Sequence, residues 1–357
     1  MLRTEGPLTY ELEAEGVNVV YFPEMIDIPY NKSLLIPSSI NAYRKLAKSL
    51  DVFKRQLLNL KPEILYINNT MLCGYLKSAR ELNIKAIIHI REHWPLGEHT
   101  FQLNWVRNCV NKYADEMVAI NKYSASMFPQ KQSTIIYDWV DMEKRYEPYP
   151  LEEIFGEDMT NKHVFVYTGG FSSIKGVKEV LQAFIETRTA SNDRLLILGK
   201  PYTVKDSFKT RIKKVLDKLC IRELYEKKVL SLLYSDKRIK CIPPIYNLSH
   251  ILQQAYCNIS YFTIPHANLA QVESILMGTP SIAARTEESV EYSIDGKLSS
   301  LFKLCDNNDF KLSLQKYDSE YENLCSEICK SKNVISAQFS REQNVMKLNN
   351  LIKSLIS

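Results

Sequence analysis

Glycine is scarce in this chain, 11 of 357 residues, and several familiar signatures are missing altogether. No apolar run approaches the roughly 20 residues that a membrane-spanning helix needs, so any membrane contact is expected to be peripheral. Met1-Leu2-Arg3-Thr4-Glu5 leads into polar sequence without the apolar core of about 7–15 residues that a secretory signal carries. There is no Cys-x-x-Cys pair: the eight cysteines (Cys73, Cys109, Cys220, Cys241, Cys257, Cys305, Cys325, Cys329) are scattered, which predicts reduced thiols in a cytoplasmic protein. Cys325 and Cys329 are spaced as helix neighbours, but no histidine or further cysteine accompanies them, so no metal site is expected. Neither a Walker loop nor a Gly-x-Gly-x-x-Gly fingerprint is present, which argues against a nicotinamide-dependent oxidoreductase. The net charge of +5, with pI near 8.6, is too small and too dispersed for a nucleic-acid binder. It suits phosphorylated ligands or an anionic membrane face.

With 45% hydrophobic residues, the chain can bury a full core, and its length predicts two domains. Short apolar, β-branched runs alternate with stretches of helical period, the pattern of parallel sheets covered by helices. Strands are predicted at Val17–Tyr21, Ile64–Asn68, Ala86–Ile90, Glu116–Ile120 and Thr134–Ile136, and after a gap at Val164–Tyr167, Arg194–Leu198, Ile239–Ile242, Asn258–Tyr261 and Ser281–Ala284. The charged segment from Asp141 to His163, with Pro148 and Pro150, lacks sustained periodicity and marks the domain boundary. Residues 1–143 then form a first domain, 144–339 a second, and 340–357 a helix expected to pack back toward the first. Ser340 followed by Gln343 reads as a capping box for that helix, whose Val345, Leu348, Ile352 and Leu355 share one face. Two more apolar stripes, Val177/Val180/Leu181/Phe184/Ile185 and Phe208/Ile212/Val215/Leu216/Leu219, predict helices.

Four segments carry residues suited to chemistry. "YTGGFSSIKGVKEVLQAF", Tyr167 to Phe184, reads as a strand, a loop with Gly169, Gly170 and Ser172, then Lys175-Gly176 opening a helix. Glycines let backbone N–H groups approach a phosphate and a helix start adds a positive dipole, so this is either a diphosphate cradle or an ordinary strand-to-helix turn. "IIHIREHWPLGEH" places Arg91, Glu92 and His93 at the end of a buried strand, where ligand crevices of α/β sheets lie. His89, His93 and His99 do not share a helical face; the alternative is that His89 is a hydrogen-bonded core residue and His93 and His99 are surface. Asp138 and Asp141 could do acid–base work or cap turns. In the helix Tyr43 to Leu60, Arg44, Lys45, Lys48, Lys54 and Arg55 lie opposite Leu46, Leu50, Phe53 and Leu57, a basic face that is either solvated or set against an anionic membrane.

Together, "VYTGGFSSIKGVKEVLQAF", "LLILGKP", "AQVESILMGTPSIAA", "EESVEYSIDGKLSSLF", "ADEMVAINKYSASMF", "STIIYDWVD" and "HIRE" resemble, in order and spacing, the family 4 ("group 1") glycosyltransferases. The resemblance covers nearly the whole chain. It implies an α/β GT-B fold, two Rossmann-like domains whose parallel sheets face each other across a cleft. It also implies transfer of a sugar from a nucleotide diphosphate sugar, a co-substrate rather than a cofactor, with retention at the anomeric carbon and no metal. The acceptor would be a saccharide or lipid-linked saccharide, in bacterial cell-surface polysaccharide or glycolipid synthesis, in the cytoplasm or at the inner membrane face. By position, Lys175 would hold the donor diphosphate, with Gly169, Gly170 and Ser172 in its loop, and Glu273 would hydrogen-bond the ribose. Asn268 and the backbone N–H groups of Leu269 and Ala270 would face phosphate or sugar, and Arg91, Glu92 and His93 the reacting sugar.

Three departures accompany the resemblance. The arginine usual five residues before the loop lysine is Gly170, and the glutamate usual eight residues before Glu273 is Pro265, which leaves His266 or Asn268 to substitute. The chain also opens at what looks like the stretch after the family's first strand, glycine-rich loop and first helix, so about one βαβ unit, on the order of 30 residues, is expected to be missing from the first domain. A second expectation follows, a degenerate GT-B chain that binds or scaffolds without catalysis.

Overall fold

The computed structural model describes residues 1–28, 37–94, 100–140, 149–201, 218–245, 247–266 and 268–356. Contacts divide the chain into two units, Met1–Tyr137 with Asn344–Ser357, and Asp138–Gln343. The first unit thus ends a few residues before the predicted boundary and takes the last helix with it. The predicted stripe from Phe208 to Leu219, together with His99 and Asp141, falls outside the described residues or side chains.

In the first unit, β1 (Ile64–Ile67), β2 (Lys85–Ile90), β3 (Glu116–Ala119) and β4 (Thr134–Ile135) form a wholly parallel sheet in that order. Its strands read as continuous apolar runs because both faces are covered. Ile88, Ile90, Met117 and Ala119 pack with Leu46, Phe53 and Leu57 of the helix Pro37–Leu60. The alternate residues Ile87 and Val118, with Ile136, meet Leu348, Leu351, Ile352 and Leu355 of the C-terminal helix Arg341–Ile356. Ser340 caps that helix, its Oγ accepting from the Gln343 N–H at 3.3 Å, and the buried Asn344 Oδ1 accepts from the Tyr137 N–H at 3.1 Å. On the helix Pro37–Leu60, Arg44, Lys45, Lys48 and Arg55 are exposed, while Lys54 pairs with Glu81.

Val17–Tyr21 is not a strand here. Among the described residues its one ladder contact is a parallel bridge between Leu2 and Tyr21, in which Leu2 N–H donates to Val20 O at 2.9 Å and Phe22 N–H to Leu2 O at 2.7 Å. An apolar run becomes a strand only with a neighbour to complete its hydrogen bonds. Beside Val17–Phe22 lies instead an apolar cavity of about 400 Å³, closed by Phe53, Leu57 and the β1 residues Leu65 and Ile67.

The second unit holds β5 (His163–Tyr167), β6 (Asp193–Leu198), β7 (Ile239–Ile242), β8 (Cys257–Ser260), β9 (Ser281–Arg285) and β10 (Ser299–Lys303), all parallel, in the spatial order β10-β9-β8-β5-β6-β7. The chain builds outward from β5 through β6 and β7, then returns to β5's other side with β8. The direction of winding therefore reverses between β5 and β8, the place where such sheets open a crevice at their carboxyl ends. Phe165 and Tyr167 face one layer with Val180, Leu181 and Phe184 of the helix Val177–Thr187; Val164 and Val166 face the other with Leu151 and Leu252. The 32-residue helix Asn307–Gln338 is tied in by the buried Arg188, which donates to Asp193 at 2.9 and 3.0 Å and to Asp318 at 3.0 Å.

Candidate functional site

The loop after β5 is shaped by what lies beneath it. A Cβ on Gly169 would fall 2.1 Å from the Tyr167 hydroxyl, and one on Gly176 2.2 Å from the Tyr261 ring. Gly176 also has φ +68°, a conformation that side chains other than glycine's resist. Between these glycines a single 3₁₀ turn, Ser173–Lys175, carries the lysine into the helix Val177–Thr187. The Lys175 ammonium lies 5.9 Å above the Phe262 ring, and among the described residues it has no ion pair.

Beyond β8, Asn268 caps the helix Leu269–Leu276, its Oδ1 accepting from Ala270 N–H at 3.2 Å. The helix stops at Gly278, φ +86°, after which Thr279 is fixed by its hydroxyl to Leu252 O at 2.5 Å and by its carbonyl to Ser274 Oγ at 2.6 Å. Ser274, Gly278 and Thr279 are thereby committed to ending the helix. Glu273, one turn in, has no side-chain hydrogen bond or ion pair among the described residues, and burial pushes its carboxyl up to about 7. Desolvation penalises the charged form, and no described residue compensates it.

Lys175 and Glu273 line one pocket of about 340 Å³ at the carboxyl ends of β5 and β8, the switch point of the sheet. Gly169, His266, Asn268, Leu269 and Ala270 join them, so seven of the expected residues of this unit come together. Gly170, Ser172 and Pro265 do not line it. Ser172 is exposed, and its carbonyl accepts from Lys175 N–H at 3.0 Å. The His266 ring sits 4.8 Å from that of Phe262. The Ala270 N–H, expected to face a phosphate, is engaged by Asn268, whose Oδ1 serves as the cap. Residue chemistry did not point to Tyr167, Thr168, Ser260, Tyr261 or Phe262, which also line the pocket. Their signal is positional: each lies at or just past the end of β5 or β8, and strand order is needed to see it.

In the first unit, Arg91, Glu92 and His93 follow β2 as expected. Glu92 Oε2 accepts from Thr70 N–H at 2.9 Å and Arg91 N–H at 3.4 Å, and Arg91 N–H also reaches Thr70 Oγ1 at 3.2 Å. His93 stacks on Tyr123 with ring centres 5.7 Å apart. His89 is a core residue: its Nδ1 lies 2.8 Å from the Tyr66 hydroxyl, and burial, aided by Arg91, lowers its pKa to about 3, so it is neutral. Asp138, half-buried, begins the second unit.

No protein-family model matches the chain, and no curated protein sequence matches it. Solved structures do. The structure of Anabaena Alr3699/HepE in complex with UDP-glucose is 15% identical, with a TM-score of 0.69 over 99% of this chain and 89% of that one. A glycosyltransferase from Rickettsia africae ESF-5 is 12% identical, with a TM-score of 0.69 over 99% and 89%. The sucrose-phosphate synthase of Thermosynechococcus elongatus is 14% identical, with a TM-score of 0.68 over 88% and 78%. At such identities the likeness defines the fold: two parallel-sheet Rossmann-like units in one chain, the GT-B class.

Proposed function

We propose that this chain is a glycosyltransferase that moves a sugar from a nucleotide diphosphate sugar to a saccharide or lipid-linked saccharide acceptor, with retention and without a metal ion. The observation that carries the reading is the meeting of Lys175 and Glu273 in one pocket at the switch point, each without a charged partner among the described residues. A cation and a carboxylate left uncompensated in a half-buried site are costly to the fold, and a ligand that engages both offsets that cost. A nucleoside diphosphate does so: its diphosphate pairs with Lys175, near the start of the helix Leu269–Leu276, and its ribose hydroxyls donate to Glu273. Arg91 and His93 are assigned to the reacting sugar, Glu92 to holding their loop, and His266 to the place of the absent acid. The structure of HepE with UDP-glucose supports a uridine donor by analogy. The exposed Arg44, Lys45, Lys48 and Arg55 fit the cytoplasmic face of an anionic membrane, where a lipid-linked acceptor for cell-surface polysaccharide would be found.

The test is calorimetric titration with UDP-glucose, UDP and GDP, followed by release of the nucleoside diphosphate in the presence of candidate acceptors, with and without EDTA. Binding with slow release that EDTA leaves unchanged is expected; no binding of any of the three would sink the reading. A second reading, a binding subunit without turnover, is favoured by the use of Glu92 Oε2 on backbone N–H groups and by Pro265. Turnover by the isolated chain excludes it.

A further inference from the structure

We propose that Tyr167 is a positioning residue for Lys175, holding the lysine's main chain so that its ammonium is presented to a bound diphosphate. The inference rests on the donor reading of the pocket given above.

Tyr167 is the last residue of β5, fully buried and in register with Ile197 of β6 and Ile259 of β8, so it stands in the middle of the sheet at the switch point. Its hydroxyl donates to the Lys175 carbonyl at 2.6 Å, eight residues onward. The loop between them lies directly on that hydroxyl, since a Cβ on Gly169 would approach it to 2.1 Å. Glycine at 169 therefore fits this tyrosine as well as any ligand. The preceding carbonyl, Ile174 O, accepts from the Thr263 N–H at 2.8 Å and the Thr263 hydroxyl at 3.0 Å. Two successive carbonyls on the way to the helix are thus held from beneath, one by β5 and one by the segment leaving β8. Lys175 keeps its own side chain over Phe262, and among the described residues no acid pairs with it. A backbone fixed in advance removes part of the ordering that binding would otherwise require, and a phenylalanine at 167 would fill the core without doing so.

The experiment is a double-mutant cycle read by calorimetric titration with UDP, using uridine as the probe that lacks a diphosphate. Tyr167→Phe should weaken UDP about 3- to 10-fold, leave uridine unchanged, and add nothing in a Lys175→Ala background. Gly169→Ala, which pushes a methyl group onto the hydroxyl, should do the same and carries the test if Tyr167→Phe does not fold. If Lys175→Ala weakens UDP while Tyr167→Phe binds it as the wild type does, positioning by Tyr167 is wrong and the donor reading stands. Loss of uridine binding in Tyr167→Phe, or an undiminished Tyr167→Phe effect in the Lys175→Ala background, assigns the tyrosine to general structure and overturns the proposal. UDP binding untouched by Lys175→Ala overturns the donor role of the lysine, and the positioning with it.

Discussion

The two charged sites at strand ends in this chain, one in each unit, use their charges in opposite ways. After β2, Glu92 spends one carboxylate oxygen on the N–H groups of Thr70 and Arg91, and His93 rests on Tyr123. After β5 and β8, Lys175 and Glu273 make no such use of themselves; uncharged groups do the structural work around them, namely the hydroxyls of Tyr167, Thr263, Ser274 and Thr279 and the amide of Asn268. A loop whose acid is satisfied by its own backbone N–H groups can hold its shape alone. A pocket whose charged groups are left over among the described residues depends on neutral neighbours for its shape, which leaves those charges for the proposed ligand.

Lys175→Ala should break this contrast most severely, lowering UDP affinity at least tenfold, about 1.4 kcal/mol or more, with little change in thermal midpoint. Glu92→Ala should do the reverse. It leaves the Thr70 N–H short of its acceptor, while the Arg91 N–H keeps Thr70 Oγ1, and should cost about 1–3 kcal/mol of first-unit stability, measured by denaturant titration of its tryptophan emission, while UDP binding holds. Turnover lost in Glu92→Gln at unchanged stability would show that the carboxylate acts on substrate as well.

Glu273→Gln sharpens the comparison through pH. The folded carboxyl titrates near 7, above its ordinary value near 4.5, so folding favours the protonated form. Its contribution to stability is complete below about pH 4.5 and is lost as pH rises through 7. The ligand-free wild type should therefore lose thermal stability between pH 5 and pH 8 relative to Glu273→Gln, whereas its UDP affinity should rise over pH 6 to 8 as the carboxylate forms to accept ribose hydroxyls. A pH-independent difference between the two proteins would contradict the assignment. His266→Ala should have the smallest effect, a few-fold change for UDP-glucose and none for UDP, because the exposed ring sits beside Phe262 at one wall of the pocket.

Much of the fold was legible because the strands are buried on both faces, and their apolar runs stand out between amphipathic helices. β10 escaped because Ser299-Ser300 opens it with two hydroxyls, both consumed internally, Ser299 against Ser281 at 2.7 Å and Ser300 donating to Glu320 at 2.7 Å. The helix Asn307–Gln338 was missed although Phe310, Leu314, Tyr317, Leu324 and Ile328 recur at helical spacing on its buried face, because that narrow stripe is set in a mostly polar and charged sequence. Val17–Tyr21 was misread for the opposite reason, as apolarity without a partner makes no ladder. In the pocket, Lys175 and Glu273 were legible as types out of place in their surroundings. The tyrosines beneath them were not, because Tyr167 and Tyr261 look like ordinary core until β5 and β8 are known to be neighbours.

The bridge between Leu2 and Tyr21 has a consequence at the bench. Because it is parallel, it aims whatever precedes Met1 along Val17–Val20, at the mouth of the apolar cavity beside β1. A fused tag is therefore delivered beside β1, the edge strand of the first sheet among the described residues, where its composition decides the outcome. A β-branched leader invites chains to pair edge to edge and precipitate, whereas one rich in lysine and proline keeps them apart. Screening leaders for monodispersity before measuring any affinity would turn that edge from a nuisance into a control.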